Sequence, residues 1–222
     1  MTLPPNTQIE AADLMLATLG RRAFSDENWL FQLKYDGYRC LVRKTGEHAE
    51  LLSREGNSLN LSFPDVVQAV AALPGDFVLD AELTVDDASG RSSFERLRRR
   101  AVTKKPANVG AAAREHPARL YLFDALSLNG RDLRALPLIE RQGHLRGALD
   151  DTSTLIVASG IVGAGHFVFE QAASLDLEGM VAKRLASPYQ RGRSRDWIKV
   201  KYANYSRTAA LGFGRTKEKS PA

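Results

Sequence analysis

A single cysteine among 222 residues, Cys40, excludes an intrachain disulfide and any cysteine-based metal cluster, and it fits a reducing, cytosolic compartment. Such a residue reads as a small buried hydrophobe. Histidine is scarce too: His48, His116, His144 and His166 are scattered without H-E-x-x-H or any other metal-ligand spacing. No G-x-x-x-x-G-K-[ST] phosphate loop occurs, "GIVGAGHFVF" completes no dinucleotide fingerprint, and no G-x-S-x-G elbow marks a serine hydrolase. Long apolar runs are missing as well. No stretch approaches the about 20 residues that a membrane helix needs, and the N-terminus "MTLPPNTQIEAADLML" lacks the basic start of a signal peptide.

What remains is a chain of ordinary globular composition, 44% hydrophobic and 26% charged, long enough for one cooperative unit with a real core. Its formal charge of +5 points to a polyanionic partner, because Lys and Arg gain by neutralising phosphates and releasing counterions. The distribution says more than the sum. From Arg184 to Ala222 there are ten basic residues against two acids, and the part beyond residue 205 reads as a basic tail over 206–222.

The pattern along the chain predicts a helix over Ala11 to Leu19, then a strand in "WLFQLKY", where Trp29, Phe31, Leu33 and Tyr35 share one face and Gln32 and Lys34 the other. Asp36-Gly37 reads as a hairpin turn into "YRCLVRK", with "HAELLSR" as the third strand of a meander. A helix is expected in "SFPDVVQAVAAL", a strand in "DFVLDAELTVDD" and a basic helix from "SFERLRRRA". The segment "VTKKPANVGAAAREH", from Val102 to His116, reads as a mobile loop. A strand in "ARLYLFDALSLNG", a helix in "LPLIERQGHLRGAL", one strand in "TLIVASGIV", a helix in "GHFVFEQAASLD" and the strands "EGMVAKRL" and "DWIKVKYA" complete the order. Meanders with interspersed helices, lacking regular βαβ alternation, give an α+β fold class.

Lys34 is a surface charge on pattern alone, since only about one lysine in a few thousand is neutral at pH 7 without help from its surroundings. Nearby cations or desolvation would make it a nucleophile. Glu82 in "LDAEL" and Glu178 in "LEGMVAK" lie in apolar strands, where each either pairs with a cation or helps to bind Mg²⁺, which prefers carboxylate and phosphate oxygens. Lys199 and Lys201 share one face of "DWIKVK", either as the wet side of an edge strand or aimed into a phosphate cleft.

Taken in order, "KYDGYR", "SREG", "LDAEL", "LFDAL", "EGMVAK" and "WIKVK" resemble the motifs of the catalytic domain of ATP-dependent DNA ligases, and connecting segments such as "SPYQRGRSRDWIKVK" look most like the bacterial break-repair ligases. The resemblance runs from about Leu14 to Tyr205. It implies an ATP-grasp-related nucleotidyltransferase domain over 1–205, built of mainly antiparallel sheets flanked by helices with the ATP cleft between them. By the same resemblance, Lys34 takes AMP from ATP, the AMP passes to the 5′-phosphate of a nick, and the 3′-hydroxyl seals the strand. Phe123 would stack on adenine, Gln32 and Leu33 would line the nucleotide site, and Glu82 and Arg39 would contact the ribose region. Arg54 would reach phosphate, Lys199 and Lys201 the α-phosphate, and Glu178 with Glu82 would hold Mg²⁺ or Mn²⁺.

Two positions depart from the family pattern. Gln32 stands where a glutamate is usual, and its amide oxygen can still accept from an adenine amino group. Ala81 replaces a glycine, which requires that φ there be negative. The OB-fold domain that follows in the family is expected to be absent, since about twenty residues remain after the last lysine motif, too few for a five-stranded barrel. The expected partners are nicked duplex DNA and other break-repair proteins, with a monomer working in the bacterial cytoplasm beside the nucleoid and no membrane. An RNA ligase or capping-type enzyme, and a non-catalytic DNA-binding repair module of the same fold, are the alternatives.

Overall fold

The computed structural model describes residues 9–206, so the basic tail expected over 206–222 lies outside the described residues apart from Ser206. Two sheets organise the chain. The first has five strands in the order β1 (Met15–Leu19), β11 (Gly192–Lys201), β10 (Gly179–Arg184), β2 (Trp29–Lys34) and β9 (Gly160–Val162). The second runs β4 (His48–Ser53), β3 (Tyr38–Thr45), β5 (Phe77–Val85), β6 (Ala118–Leu128) and β7 (Arg131–Asp132), with β8 (Leu155–Val157) beside β6. Pairing is antiparallel except for β1 with β11 and β6 with β8. This is the α+β architecture expected from the sequence.

Alternation along the strands divides the core into three layers. Cys40 and Val42 on β3, Leu79, Ala81 and Leu83 on β5, and Leu120 and Leu122 on β6 face α1 (Pro64–Ala71), α2 (Phe94–Val102) and α4 (Leu138–Ala148). On the first sheet, Trp29, Phe31, Met180, Ala182 and Val200 pack against α5 (Gly165–Ser174) through Val168. Leu41, Val78 and Leu126 from one sheet meet Met15 and Trp197 from the other, closing one end of the space between the sheets.

Four expectations need correction. Met15–Leu19 is strand, preceded only by a 3₁₀ turn at Ala11–Asp13, because a short apolar run next to an open edge gains backbone partners along β11 that a lone helical turn lacks. Asp36-Gly37 is not a hairpin turn: β2 pairs with β10 and β9, β3 pairs with β4 and β5, and the dipeptide carries the chain from one sheet to the other. Residues 106–115 form a helix, α3 (Pro106–Glu115), since Pro106 occupies its first turn, where no N–H is required. "TLIVASGIV" is divided between β8 and β9 in different sheets. Ala81, in contrast, meets the requirement set for it, with a negative φ and a fully buried side chain.

Candidate active site

Between the sheets lies a cavity of about 780 Å³, lined at one end by residues of the crossing from β2 to β3. Lys34 stands at that end, as the last residue of β2. Beyond it Gly37 passes so close to β5 that a Cβ there would sit 2.3 Å from the Leu83 carbonyl oxygen, so glycine is required for the crossing. Asp36 is buried beneath and accepts a hydrogen bond from the Tyr205 hydroxyl at 3.1 Å.

Glu178, just before β10, ties together residues distant in sequence. Its carboxylate accepts from Lys34 Nζ at 2.6 Å and pairs with Lys201 Nζ at 2.9 Å. Burial works to raise its pKa, but the two ammonium groups outweigh burial and hold the carboxyl below the usual range. Lys199, on the same face of β11 as Lys201, is lowered by burial and by the nearby charges of Lys34 and Lys201. Glu82 lies across the cleft on β5 and accepts from the Gly37 N–H at 3.1 Å. Burial pushes its carboxyl up to about 7, against Lys34 and Arg39, while Glu178 and Asp80 add to the rise. The cations expected beside Lys34 are there, and Glu178 lies between Lys34 and Lys201.

Two carboxylates beside a space lined with ammonium groups match the preference of Mg²⁺ for one or two carboxylates plus phosphate oxygens. Among the described residues no group of three or more His, Cys, Asp or Glu side chains comes together, so a cation here would depend on substrate oxygens for the rest of its shell.

The other end of the cavity is aromatic and depends on a local irregularity. Ala81 pairs with Leu122 and Asp80 with Asp124, so Phe123 is an extra residue on β6, a bulge that turns its side chain toward the cleft. Beneath it, Arg39 is bound bidentately by Asp80, donates to the Met15 carbonyl at 3.0 Å, and lies 4.6 Å from the Phe123 ring centroid. Although burial opposes its charge, Asp80 holds the Arg39 guanidinium well above the ordinary range. Tyr189 donates to the same Asp80 carboxylate at 2.5 Å and accepts from the Met15 N–H at 3.0 Å. Gln32 is buried along the same cavity, and its amide nitrogen donates to the Ala158 carbonyl at 3.0 Å. Leu33 reaches the cavity too, with its side chain packed on the α5 side of the sheet. Arg54 stands exposed on the rim, just past β4.

Every side chain that the sequence assigned to the nucleophile and the nucleotide lines this one cavity except Lys201, which reaches it through Glu178, as Glu178 itself does through Lys34. Sequence reasoning passed over Lys183, Trp197, Asp80 and Tyr189. For Lys183 a signal existed: Gly179, Val181 and Lys183 share a strand face, and Val181 lines the cavity. Asp80 and Tyr189 carry no such mark, because their partners are distant in sequence.

A family model described as "ATP dependent DNA ligase domain" matches residues 15–201. The chain is 33% identical over 199 residues to the SPbeta prophage-derived DNA ligase-like protein LigB of Bacillus subtilis, covering 89% of this chain and 69% of that protein. It is 33% identical over 192 residues to the multifunctional non-homologous end joining protein LigD of Pseudomonas aeruginosa, covering 85% of this chain but 22% of that one. Among solved structures, mycobacterial DNA ligase D complexed with ATP and MES superposes with a TM-score of 0.73 at 31% identity, covering 86% of this chain and 60% of that chain. The chain thus spans less than two thirds of the end-joining relative and of the mycobacterial structure.

Proposed function

The chain belongs to the ATP-dependent DNA ligase domain family, and from that premise we propose that residues 1–205 are the adenylating core of an enzyme that seals nicks in DNA. The observation that carries this reading is the convergence of Lys34 and Lys201 on Glu178, with Lys199 beside them, at one end of a cavity whose other end is the bulged Phe123.

In this reading the purine of ATP stacks on Phe123 and its phosphates lie toward Lys34. Lys199 and Lys201 hold the α-phosphate and stabilise the charge that develops on its oxygens. Lys34, having lost a proton to solvent, attacks the α-phosphorus through Nζ; an N–P bond forms and pyrophosphate leaves with the electron pair of the broken P–O bond. A 5′-phosphate oxygen at a nick then attacks the same phosphorus, freeing Lys34, and the 3′-hydroxyl displaces AMP to seal the strand. Glu82 and Arg39 border the ribose, Arg39 acting from its place under Phe123. Glu178 and Glu82 are the carboxylates that would hold Mg²⁺ or Mn²⁺, and such a cation supplies positive charge at the reacting phosphate. The amide nitrogen of Gln32 donates one N–H to Ala158, and its oxygen remains able to accept from a 6-amino purine such as that of ATP.

Nicked duplex DNA is the partner this chemistry requires, and the basic balance of the chain suits it. The end-joining relatives support a setting in break repair beside other repair proteins; a monomer working in the cytoplasm beside the nucleoid completes the proposal. Denaturing gels of a 5′-phosphorylated nicked duplex, incubated with ATP or GTP, should show sealing of DNA with ATP. Sealing confined to nicked RNA, or to GTP, would replace this reading with the RNA-ligase or capping alternative.

A further inference from the structure

Lys183 is 2% exposed, and among the described residues it forms no ion pair within 4.0 Å. The two carboxylates whose charge acts on it are already engaged, Asp80 by Arg39 and Tyr189, and Asp124 bidentately by Arg141. The ammonium instead lies 4.3 Å from the Phe123 ring centroid and 4.2 Å from that of Trp197, wedged between two rings that are themselves 6.1 Å apart. Its Nζ donates to the Phe123 carbonyl at 3.2 Å, and Gln142 donates to the same oxygen at 2.6 Å. Phe123 is the extra residue of a bulge, so the strand ladder does not fix it; side chains do.

We propose that Lys183 is the positioning residue for Phe123, and that its charged form holds the ring where the purine of the nucleotide stacks. This rests on the reading of the cavity as an ATP site. The ammonium binds Phe123 twice, at the backbone through a charge-assisted hydrogen bond and at the ring face through cation–π attraction. A neutral amine keeps only a weaker hydrogen bond. Burial pushes Lys183 down to about 7, against the upward pull of Asp124 on β6 and Asp80 on β5, with Arg39 on β3 and Arg141 on α4 adding to the fall. The cation therefore dominates below about pH 7, and nucleotide capture weakens as the pH rises through that value.

The test is calorimetric titration of the full chain with a non-reacting analogue, α,β-methylene-ATP, from about pH 6 to about pH 8.5, for wild type, Lys183→Met and Lys183→Arg. Glu82 and Lys199 are common to all three proteins, so only the difference between profiles reports on Lys183. Wild-type affinity should fall about tenfold more across the range than that of either variant, and Lys183→Met should bind about tenfold more weakly at the acid end. Wild-type affinity and slope in Lys183→Met would overturn the proposal. If Lys183→Met melts too low to titrate, Lys183→Arg decides: a guanidinium does not titrate here, so a wild-type slope in that variant overturns it. A wild type that forms lysyl-AMP while both variants keep its profile sinks this inference alone; a wild type that neither binds the analogue nor forms the adduct sinks the ATP reading and this inference with it.

Discussion

Lys183 also leaves a mark on stability, and the sign follows from its charge. Its folded pKa, about 7, lies below that of an unfolded lysine, about 10.4, so between these values the unfolded chain binds more protons than the folded one. Stability therefore rises with pH across that window, and below about pH 7 the buried cation imposes its full cost. Scanning calorimetry should find that the melting temperature of wild type gains on that of Lys183→Met between about pH 7 and about pH 9. Parallel curves would mean that Lys183 titrates normally. Among single residues the sequence was informative where a motif carried the side chain: the ligase-like motifs single out Lys34, Glu82, Glu178 and Lys199, and the fold brings them to one cleft. It was silent about the ion pair of Lys34 with Glu178, since nothing local records a contact across 144 positions.

Strands position these groups, and one glycine shows how tightly. Gly179 opens β10 next to Glu178 with φ at +141°, and a Cβ there would lie 2.0 Å from the Val200 carbonyl oxygen. Gly179→Ala should cost about 1–3 kcal/mol by urea unfolding, from backbone strain alone, and slow AMP transfer to Lys34 by moving Glu178. Unchanged stability and unchanged adenylation in that variant would show that β10 is free to shift. Element types were mostly readable from periodicity, as β5, β6 and α1 show. Three errors have physical causes: the apolar run Met15–Leu19 is short enough to serve as either helix or strand, Pro106 starts a helix as well as breaking one, and an Asp-Gly pair turns a chain without specifying which strands it joins. The bulge that aims Phe123 was beyond reading, because a register shift belongs to a pair of strands and not to either one.

Across the molecule, the decisive property is that β2 and β3 are neighbours in sequence but members of different sheets. The cleft exists because the chain crosses between sheets at Asp36-Gly37, and the K-x-D-G-x-R motif sits at that crossing. Residues from both ends of the described chain complete it: Met15 under Arg39 on one side, Lys199 and Lys201 beside Lys34 on the other. The buried pair Asp124 and Arg141 then locks β6 to α4 and, through the Ser187 carbonyl, to the approach to β11. Sequence periodicity established an α+β class but could not divide its strands between sheets, since alternation reports which face is buried and not against what.

If this convergence makes Lys34 a nucleophile toward ATP, the covalent product is visible by intact mass spectrometry after incubation with ATP and Mg²⁺. Wild type should gain one AMP, mapped to Lys34 by peptide analysis, and Lys34→Ala should gain none. No adduct on wild type, or an undiminished adduct on Lys34→Ala, would contradict the covalent role of Lys34.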